Sequence, residues 1–197
     1  VYIQKISTNP YAGAWALPGK LILAEEGLIE ATKGIVKESI GTDEIYLEQL
    51  NAFGEIYRHP LGRVIDVAFY GLLNMKKDVI AKREDKENTW VPVEDIPPLA
   101  YDHNDVLKLA SQRLKRRLVN RPIGFKLLNK EFTLTELQQL YEQILGRELD
   151  KRNFRKKLTK LDILTAEGHE DTSSPGRKPR LFKFNETKYN EYMEQGF

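Results

Sequence analysis

The stretch from residue 151 to residue 160 carries the side chains best suited to recognising a polyanion. It holds six basic and no acidic residues, and Phe154, Leu158 and Leu161 recur at helical spacing. At 100° per residue these three form one apolar stripe, and polar side chains cover the opposite face and its flanks. The polar set consists of Lys151, Arg152, Asn153, Arg155, Lys156, Thr159 and Lys160. Arginine and asparagine can pair with guanine and adenine while lysine neutralises phosphate, so the pattern predicts a helix that reads duplex DNA.

A second basic cluster follows this helix along the chain. The segment Gly176–Arg180 contains three cations, Arg177, Lys178 and Arg180, between two short apolar runs. Taken alone, the basic helix is equally well explained as a solvated surface. A basic helix followed by a basic hairpin has the order of a winged helix, whose hairpin lies along the phosphate backbone. The combination therefore favours DNA binding, with an affinity that depends strongly on salt.

Local sequence signals predict the elements that would position this helix. Thr133 and Glu136 form a capping-box pattern, which starts a helix that Gly146 ends. Asp150 is a good N-cap for a second helix over residues 151–161. Two short strands are predicted at Ile163–Ala166 and Leu181–Phe184, joined by the polar stretch Glu167–Pro179. These elements follow a predicted domain boundary near residue 120.

The first 120 residues have a different pattern, in which short β-branched and aromatic runs alternate with turns. One helix is predicted over Glu25–Ile40, ended by Gly41, and another over Val106–Val119. The predicted apolar face of the first helix contains Leu28, Ala31, Ile35 and Val36. Strands are predicted at Val1–Ile6, Leu50–Tyr57, Val64–Leu73 and Thr89–Val93. The third is long and apolar enough to be a central strand of the sheet.

The segment from Trp15 to Gly41 contains carboxylates of the kind that bind Mg²⁺, which prefers hard oxygen ligands. It resembles the Nudix box, in which a glycine-led loop precedes a helix that carries an arginine and several glutamates. An alignment without gaps matches Glu26 to the first glutamate of the box and Gly41 to its last glycine. Three positions differ, since Lys20 replaces the box glycine, Gly34 the arginine and Ile35 the next glutamate. The paired glutamate positions are occupied by Glu38 and Ser39.

The chemistry that this resemblance implies is largely lost from the motif. In active members of the Nudix family the helix glutamates hold a metal against a pyrophosphate and help to position the attacking water. Ile35 cannot bind a cation, and Ser39 offers only a neutral oxygen, which leaves Glu38 as the one carboxylate in the core of the motif. We therefore predict no catalytic residues, no metal, no cofactor and no enzymatic activity.

Several further segments resemble the Nudix-related transcriptional regulators. They are residues 53–60, 63–70, 122–128, 132–142 and, most specifically, 150–157. The resemblance covers essentially the whole chain. It implies an α+β protein with an N-terminal Nudix-like α/β/α sandwich around a mixed sheet and a C-terminal winged helix-turn-helix domain. The expected domains are residues 1–120 for sensing an effector and residues 121–197 for binding DNA.

The same resemblance implies a homodimer on a palindromic operator, with the Nudix pocket reused to sense a small effector, and a repressor is expected. One branch of these regulators senses ADP-ribose, and another governs sugar use, including arabinose. Because metal carboxylates and a basic cradle for a pyrophosphate are largely missing, the sequence favours a sugar such as L-arabinose, and hence control of carbohydrate utilisation. The candidate effector-binding residues are Glu26, Glu38, Glu55, Arg58, Arg63 and Asp66, each of which could instead form a surface ion pair.

Composition limits the remaining alternatives. The chain has a net charge of +2 and no cysteine, which excludes disulfides and a thiol nucleophile. His59, His103 and His169 are too far apart for a local metal motif and are expected at the surface or in turns. No apolar run reaches the roughly 18 to 20 residues of a membrane span, so a cytoplasmic protein is expected. The sequence begins at Val1 inside a predicted strand, so the true start of the protein is expected to be missing. An active hydrolase of a nucleoside diphosphate derivative and an RNA-binding accessory protein stay open.

Overall fold

A computed structural model of the chain describes most of its residues. The described residues are 1–42, 45–74, 85–120, 123–170 and 180–194. The chain divides into two compact units, Val1–Arg113 and Leu114–Phe197. This division falls within a helix, a few residues before the predicted boundary at residue 120. No helix in the described part is long and apolar enough to cross a lipid bilayer.

In the described part of the first unit, two small sheets form the framework. In one sheet β2 (Trp15–Ala16), β1 (Tyr2–Lys5) and β5 (Asn88–Trp90) lie side by side in that order, with antiparallel pairing. In the other sheet β3 (Tyr46–Phe53) pairs antiparallel with β4 (Asp66–Leu72). All four strands predicted from the sequence are therefore confirmed, each with bounds that differ by a few residues.

Two features of these sheets differ from the prediction. Strand β4 buries Ala68, Tyr70 and Leu72 on alternate positions, as a half-buried strand requires. Within the described residues it pairs with β3 alone, so the predicted central position is not seen. Strand β2 was not predicted, because two residues are too few to show a periodicity. Its Trp15 also forms a parallel bridge with Leu99, which introduces parallel pairing beside the antiparallel strands.

The first helix of this unit, α1, spans Leu28–Ile40 and starts three residues later than predicted. Gly27 before it is extended, with φ −73° and ψ 150°, so the two preceding glutamates lie outside the helix. At the other end Gly41 adopts φ 81°, and its N–H donates to the Lys37 carbonyl at 2.9 Å. Glycine reaches this left-handed conformation without a Cβ clash, so the predicted helix stop is confirmed.

The buried face of α1 is narrower than predicted. Ala31 and Ile40 are buried, and Ile35 and Val36 are half-buried, but the side chain of Leu28 is 41% exposed. Placing Leu28 in the core face was wrong because the helix starts at this residue. Helical side chains lean towards the N-terminus, so Leu28 projects past the end of the helix and has no preceding turn to cover.

A long helix, α2, spans His103–Asn120 and extends the prediction at both ends. Its early part belongs to the first unit, where Val106 is buried and the Arg113 guanidinium donates to the Leu50 carbonyl of β3 at 3.2 Å. Short 3₁₀ helices at Val93–Asp95 and Ile123–Leu127 flank α2 along the chain.

In the described part of the second unit, three strands and three helices follow the end of α2 and the 3₁₀ helix Ile123–Leu127. Strands β6 (Glu131–Thr133), β8 (Arg180–Phe184) and β7 (Leu164–Glu170) form an antiparallel sheet in that order. The helices are α3 (Leu134–Leu145), α4 (Lys151–Leu161) and α5 (Glu186–Glu194). This order of elements confirms the predicted winged helix, whereas β6 and α5 were not predicted. Strand β7 runs four residues beyond its predicted end, so the polar stretch after residue 166 begins within the sheet.

Candidate nucleic-acid interface and sensor region

Local chemistry fixes both ends of α4, the predicted recognition helix. The Asp150 carboxylate accepts a hydrogen bond from the Asn153 N–H at 2.7 Å, which satisfies one of the unpaired donors at the helix start. Asp162 ends the helix in a left-handed conformation, φ 49°. Leu158 is buried, and Phe154 meets Tyr141 of α3 edge to face at 5.3 Å. The apolar stripe predicted for α4 therefore anchors the helix to the core of the second unit.

The opposite face of α4 is exposed along its whole length. All seven residues predicted to contact DNA on this helix are exposed: Lys151, Arg152, Asn153, Arg155, Lys156, Thr159 and Lys160. The Thr159 hydroxyl donates to the Arg155 carbonyl at 3.0 Å, so it can offer a ligand only acceptor lone pairs. We call this set of seven residues the basic face. It presents five cations and one amide on a single rigid element, which suits phosphate and base-edge contacts.

One basic residue of α4 has a different role. The Lys157 ammonium donates to the Val119 carbonyl near the end of α2, at 3.0 Å. This bond satisfies one of the last carbonyls of that helix, as lysines near helix C-termini commonly do. Lys157 therefore holds α4 in place and is not part of the basic face.

Only one of the three predicted wing cations can be placed. Arg180 is exposed at the start of β8, with its guanidinium 5.9 Å from the Phe182 ring centroid. Arg177 and Lys178 lie outside the described residues. Strands β7 and β8 pair antiparallel up to the register Glu170 with Arg180. The described residues thus contain the two strands that would carry a wing, with Arg180 at the start of the second.

In the first unit, a buried arginine organises the region predicted to bind the effector. The Arg58 side chain is 5% exposed, and its Nε and Nη2 donate to the two oxygens of Asp102 at 2.9 and 2.6 Å. Its Nη2 also lies 3.4 Å from Asp66 at the start of β4. Two of the predicted effector residues, Arg58 and Asp66, are therefore brought together. Paired with carboxylates and out of solvent, Arg58 serves to position the loop and is poorly placed to contact a ligand.

One residue beside this pair, His103, was not recognised as part of the site by sequence reasoning. The His103 imidazole accepts a hydrogen bond at Nδ1 from the Leu17 N–H at 3.0 Å, which ties α2 to the loop before the box helix. Burial lowers the pKa of His103, while nearby Asp66 and Asp102 oppose that shift. The expectation of a surface or turn histidine was wrong for His103, because it starts α2 half-buried in the core of this cluster. Spacing alone could not show it, since its partner lies 86 residues away.

Aromatic rings complete the same region. Tyr101 adopts φ 57°, and its ring stacks on His59 at 5.2 Å and meets Tyr11 edge to face at 4.8 Å. A positive φ is unusual for a tyrosine, and such backbone conformations concentrate at functional sites. Three rings, Tyr11, His59 and Tyr101, therefore form one aromatic cluster, and two of its members are chain neighbours of Arg58 and Asp102. His59 is half-buried and lies in a bend between turn residues, which agrees with the turn position that the sequence suggested.

The other predicted effector residues are dispersed. Glu26 lies in the loop before α1 and pairs with Lys20 at 2.6 Å, and the hydrogen bond from Lys20 lowers its pKa. Glu38 is exposed on α1, and Glu55 is exposed after β3. Arg63 donates through Nη1 to the carbonyls of Gly54 and Glu55 at 2.5 and 3.1 Å, which closes the β3–β4 loop.

The donor set of the box does not fit a Mg²⁺ ion. Ile35 and Ser39 take positions where the box has carboxylates, and Glu26 is already neutralised by Lys20. Across the described ranges there is no group of three or more histidine, aspartate or glutamate side chains that could hold a metal. We therefore derive no metal-dependent step for this chain.

Comparison with known proteins places both units. Residues 124–184 match the model of the NrtR DNA-binding winged helix domain. The ADPR responsive transcriptional repressor NtrR of Acinetobacter baylyi is 32% identical over 183 residues, which span 90% of this chain and 72% of that protein. The crystal structure of Shewanella oneidensis NrtR complexed with a 27mer DNA superposes with a TM-score of 0.82 at 28% identity, covering 96% of this chain and 88% of that one.

A third comparison concerns the first unit. The NUDIX domain of Shewanella oneidensis NrtR, solved in complex with ADP ribose, is 28% identical, with a TM-score of 0.50 over 58% of this chain and 77% of that one. A Nudix-like domain followed by a winged helix that exposes a basic face defines the class of two-domain, Nudix-related transcriptional regulators. Within this class, the chain belongs to the NrtR family.

Proposed function

We propose that this chain is a transcriptional repressor that binds duplex DNA through the basic face of α4 and responds to ADP-ribose through its Nudix-like unit. The observation that carries the DNA part is the basic face itself. Buried Leu158 and half-buried Phe154 and Leu161 anchor the helix, and seven polar side chains stay exposed on it. The relative solved with DNA has the same order of domains over 96% of this chain. Residues 1–120 and 121–197 are proposed as the sensing and DNA-binding domains.

The DNA part can be tested without knowledge of the operator. Duplexes selected by the full chain from a random-sequence library supply a specific probe, and a shuffled duplex supplies the reference. We expect Arg152→Ala and Lys156→Ala to weaken binding to the selected duplex, Arg152→Ala by about tenfold or more, the size of one lost bidentate base contact. Lys108→Ala, which removes an exposed cation from α2 in the first unit, is the matched charge control.

Three outcomes of this experiment are informative. Failure of the library to converge on any sequence would contradict specific DNA reading. Tighter binding to single-stranded RNA than to duplex DNA would favour the RNA-binding alternative. Wild-type affinity in both α4 variants would place the interface on another surface.

The effector assignment differs from the sugar that the sequence favoured. The A. baylyi relative is named as responsive to ADP-ribose, and the S. oneidensis NUDIX domain was solved with ADP ribose. Neither supports L-arabinose or a role in carbohydrate utilisation. The sugar was favoured because the box has lost its metal carboxylates, but that loss bears on cleaving a pyrophosphate and does not prevent binding one. We therefore propose ADP-ribose, with Glu26, Glu38, Glu55, Arg63 and Asp66 as candidate contacts and Arg58 as their support.

Calorimetric titration of the full chain distinguishes the effectors. We expect binding heat from ADP-ribose and none from L-arabinose or xylose. Heat from a pentose alone would overturn the ADP-ribose proposal and restore the sugar.

We also propose that the Nudix-like unit is not a hydrolase, because its donor set does not fit a metal. Incubation with ADP-ribose and Mg²⁺ should leave the pyrophosphate intact. Steady formation of AMP and ribose 5-phosphate, abolished by Glu38→Gln, would instead establish the alternative of an active hydrolase.

A homodimer on a palindromic operator is proposed as the assembly. The first unit exposes large apolar side chains in two segments, with Leu21, Leu23 and Tyr57 exposed by 82%, 72% and 92%. Exposed apolar clusters of this kind commonly mark protein–protein interfaces. Sedimentation velocity at micromolar concentration should give the mass of two chains, and a single-chain mass would contradict this assembly.

A further inference from the structure

The turn between α3 and α4 is closed by two side chains of α3. Gln138 and Glu142 are four residues apart, so they are neighbours on one face of the helix. The Leu149 N–H donates to Glu142 Oε1 at 2.9 Å, and Gln138 Nε2 donates to the Leu149 carbonyl at 3.0 Å. Gln138 Nε2 also donates to Glu142 Oε1 at 2.9 Å. The three residues form a closed ring of hydrogen bonds, which we call the clamp.

The clamp acts on the residue directly before α4. Leu149 precedes the N-cap Asp150, whose carboxylate and carbonyl accept the N–H groups of Asn153 and Phe154 at 2.7 and 2.9 Å. Leu149 itself belongs to neither helix, since α3 ends at Leu145 and α4 starts at Lys151. Both of its backbone polar groups are nevertheless held by α3, so the start of α4 is tied to α3 through one residue.

The hydrogen bonds of the clamp constrain the angle between α3 and α4 more tightly than apolar packing can. The edge-to-face contact of Tyr141 with Phe154 keeps α3 and α4 at their packing distance. Aromatic pairs tolerate a broad range of ring orientations, whereas a hydrogen bond weakens steeply when its geometry is bent. The ring contact therefore sets the separation of the two helices, and the clamp sets the direction in which α4 leaves the turn.

The length of α4 amplifies any change in that direction. Its 11 residues span about 16 Å, so a tilt of about 10° at the N-terminus moves the far end by roughly 3 Å. Base-edge contacts require positioning to within about 0.5 Å. Phosphate contacts made by flexible lysines tolerate larger displacements, and they carry no sequence information. Loss of the clamp should therefore harm sequence discrimination more than general DNA affinity.

We propose that Gln138 and Glu142 are positioning residues, which hold α4 at the angle required for sequence-specific contacts to DNA. This inference rests on the proposed DNA-binding function. Neither side chain belongs to the basic face, and their effect on DNA is exerted through the Leu149 backbone. The hydrogen bonds from Gln138 and Leu149 also lower the pKa of Glu142, as expected for a carboxylate that accepts both of them.

The test measures the ratio of affinities for the library-selected duplex and the shuffled duplex, using the full chain. Gln138→Leu and Glu142→Leu should lower this ratio by about tenfold or more, with affinity for the shuffled duplex within about twofold of wild type. Glu142→Gln should keep the ratio, because both bonds end on Oε1 and a glutamine carbonyl there can accept both. Gln143→Leu, at an exposed position of α3, is the matched control.

Each outcome separates this inference from the function on which it rests. A wild-type ratio near one would contradict sequence-specific DNA binding itself. A wild-type ratio that discriminates, with Gln138→Leu discriminating equally well, would overturn the positioning role alone. Equal loss in Glu142→Gln and Glu142→Leu would overturn it too, because charge and not bond geometry would then matter. If thermal melting shows that Gln138→Leu is unfolded, Gln138→Glu replaces it in the test. This variant keeps the side-chain length but places an acceptor against the Leu149 carbonyl. An unchanged affinity ratio in Gln138→Glu would overturn the inference.

Discussion

The Arg58 guanidinium lies beside carboxylates that come from two other segments, Asp66 eight residues away and Asp102 forty-four residues away. The sequence identified Arg58 and Asp66 as polar residues of interest, because arginine and aspartate near predicted strands are common in binding sites. It could not show that Asp102 neutralises Arg58, since no local pattern links residues so far apart. That pairing changes the interpretation of Arg58 from a ligand contact to a support for the loop.

Removing one partner of this pair should destabilise the first unit. In Asp102→Ala the Arg58 side chain stays buried with only the longer contact to Asp66. Loss of one partner from a buried ion pair costs about 3 kcal/mol or more in the free energy of unfolding, measurable by urea denaturation. Glu26→Ala breaks a pair with the exposed Lys20 and should lower the free energy of unfolding far less, because solvent screens that pair. Equal, small losses in both variants would show that solvent screens the Arg58 pair as well.

The stability of the first unit should also depend on the protonation of His103. The Leu17 N–H needs the lone pair on Nδ1, and burial lowers the pKa of His103 below the value of about 6.5 expected in the unfolded chain. Between these two pKa values the folded protein binds fewer protons than the unfolded one. The stabilisation by neutral His103 is therefore complete above about pH 6.5. It is lost as the pH falls from that value through the lowered pKa of His103 in the folded protein.

Urea titrations at several pH values test this assignment. Wild type should lose free energy of unfolding as the pH falls below about 6.5. His103→Asn, whose side-chain oxygen can accept from Leu17 but does not titrate, should show a flatter profile. Parallel profiles would mean that other groups carry the pH dependence.

At the scale of elements, the parts of the fold that were predicted correctly depend on local chemistry. The capping box of Thr133 and Glu136, the N-cap Asp150 and the left-handed Gly41 each act within a few residues, so the sequence shows them directly. Strand β6 escaped prediction because its three residues are strand only through pairing with β8. The late start of α1 escaped because Gly27 is extended, and a glycine at that point is equally compatible with a longer helix.

The contact between the 3₁₀ helix Ile123–Leu127 and α3 provides a test of packing at this scale. A Cβ on Gly124 would lie 2.5 Å from Tyr141 Cε2, which is too close for any carbon atom. Tyr141 is buried, and its hydroxyl forms a hydrogen bond with the Gly124 backbone, so its ring cannot easily move. We expect Gly124→Ala to lower the free energy of unfolding by about 1–3 kcal/mol.

Thermal or urea unfolding of the full chain measures this effect. Gly19→Ala is the matched control, because a Cβ there has no atom within 4 Å and the backbone is not left-handed. Unchanged stability in Gly124→Ala would mean that the 3₁₀ helix shifts away from Tyr141 without loss.

At the scale of the whole molecule, the two units carry different chemistry on one chain. The second unit presents an exposed cationic surface, whereas the first buries Arg58 against the carboxylates of Asp66 and Asp102. Net charge alone could not show this division, because the chain as a whole carries only +2. A repressor that responds to ADP-ribose requires the two units to be coupled. The coupling free energy is the same for both ligands, so each ligand changes the affinity of the chain for the other by the same factor.

This reciprocity supports a prediction that involves the full chain and both ligands. If saturating ADP-ribose weakens binding to the library-selected duplex by a given factor, the selected duplex must weaken ADP-ribose binding by the same factor, which we expect to be roughly 5- to 150-fold. Gel-shift titrations with and without ADP-ribose give the first value, and calorimetry with and without the duplex gives the second. L-arabinose serves as the control effector and should change neither. If ADP-ribose greatly weakens DNA binding but the duplex leaves ADP-ribose affinity unchanged, ADP-ribose acts on the DNA assay by another route. Direct competition for the cations of α4 is one such route. In that case ADP-ribose would weaken binding to the shuffled duplex to the same extent.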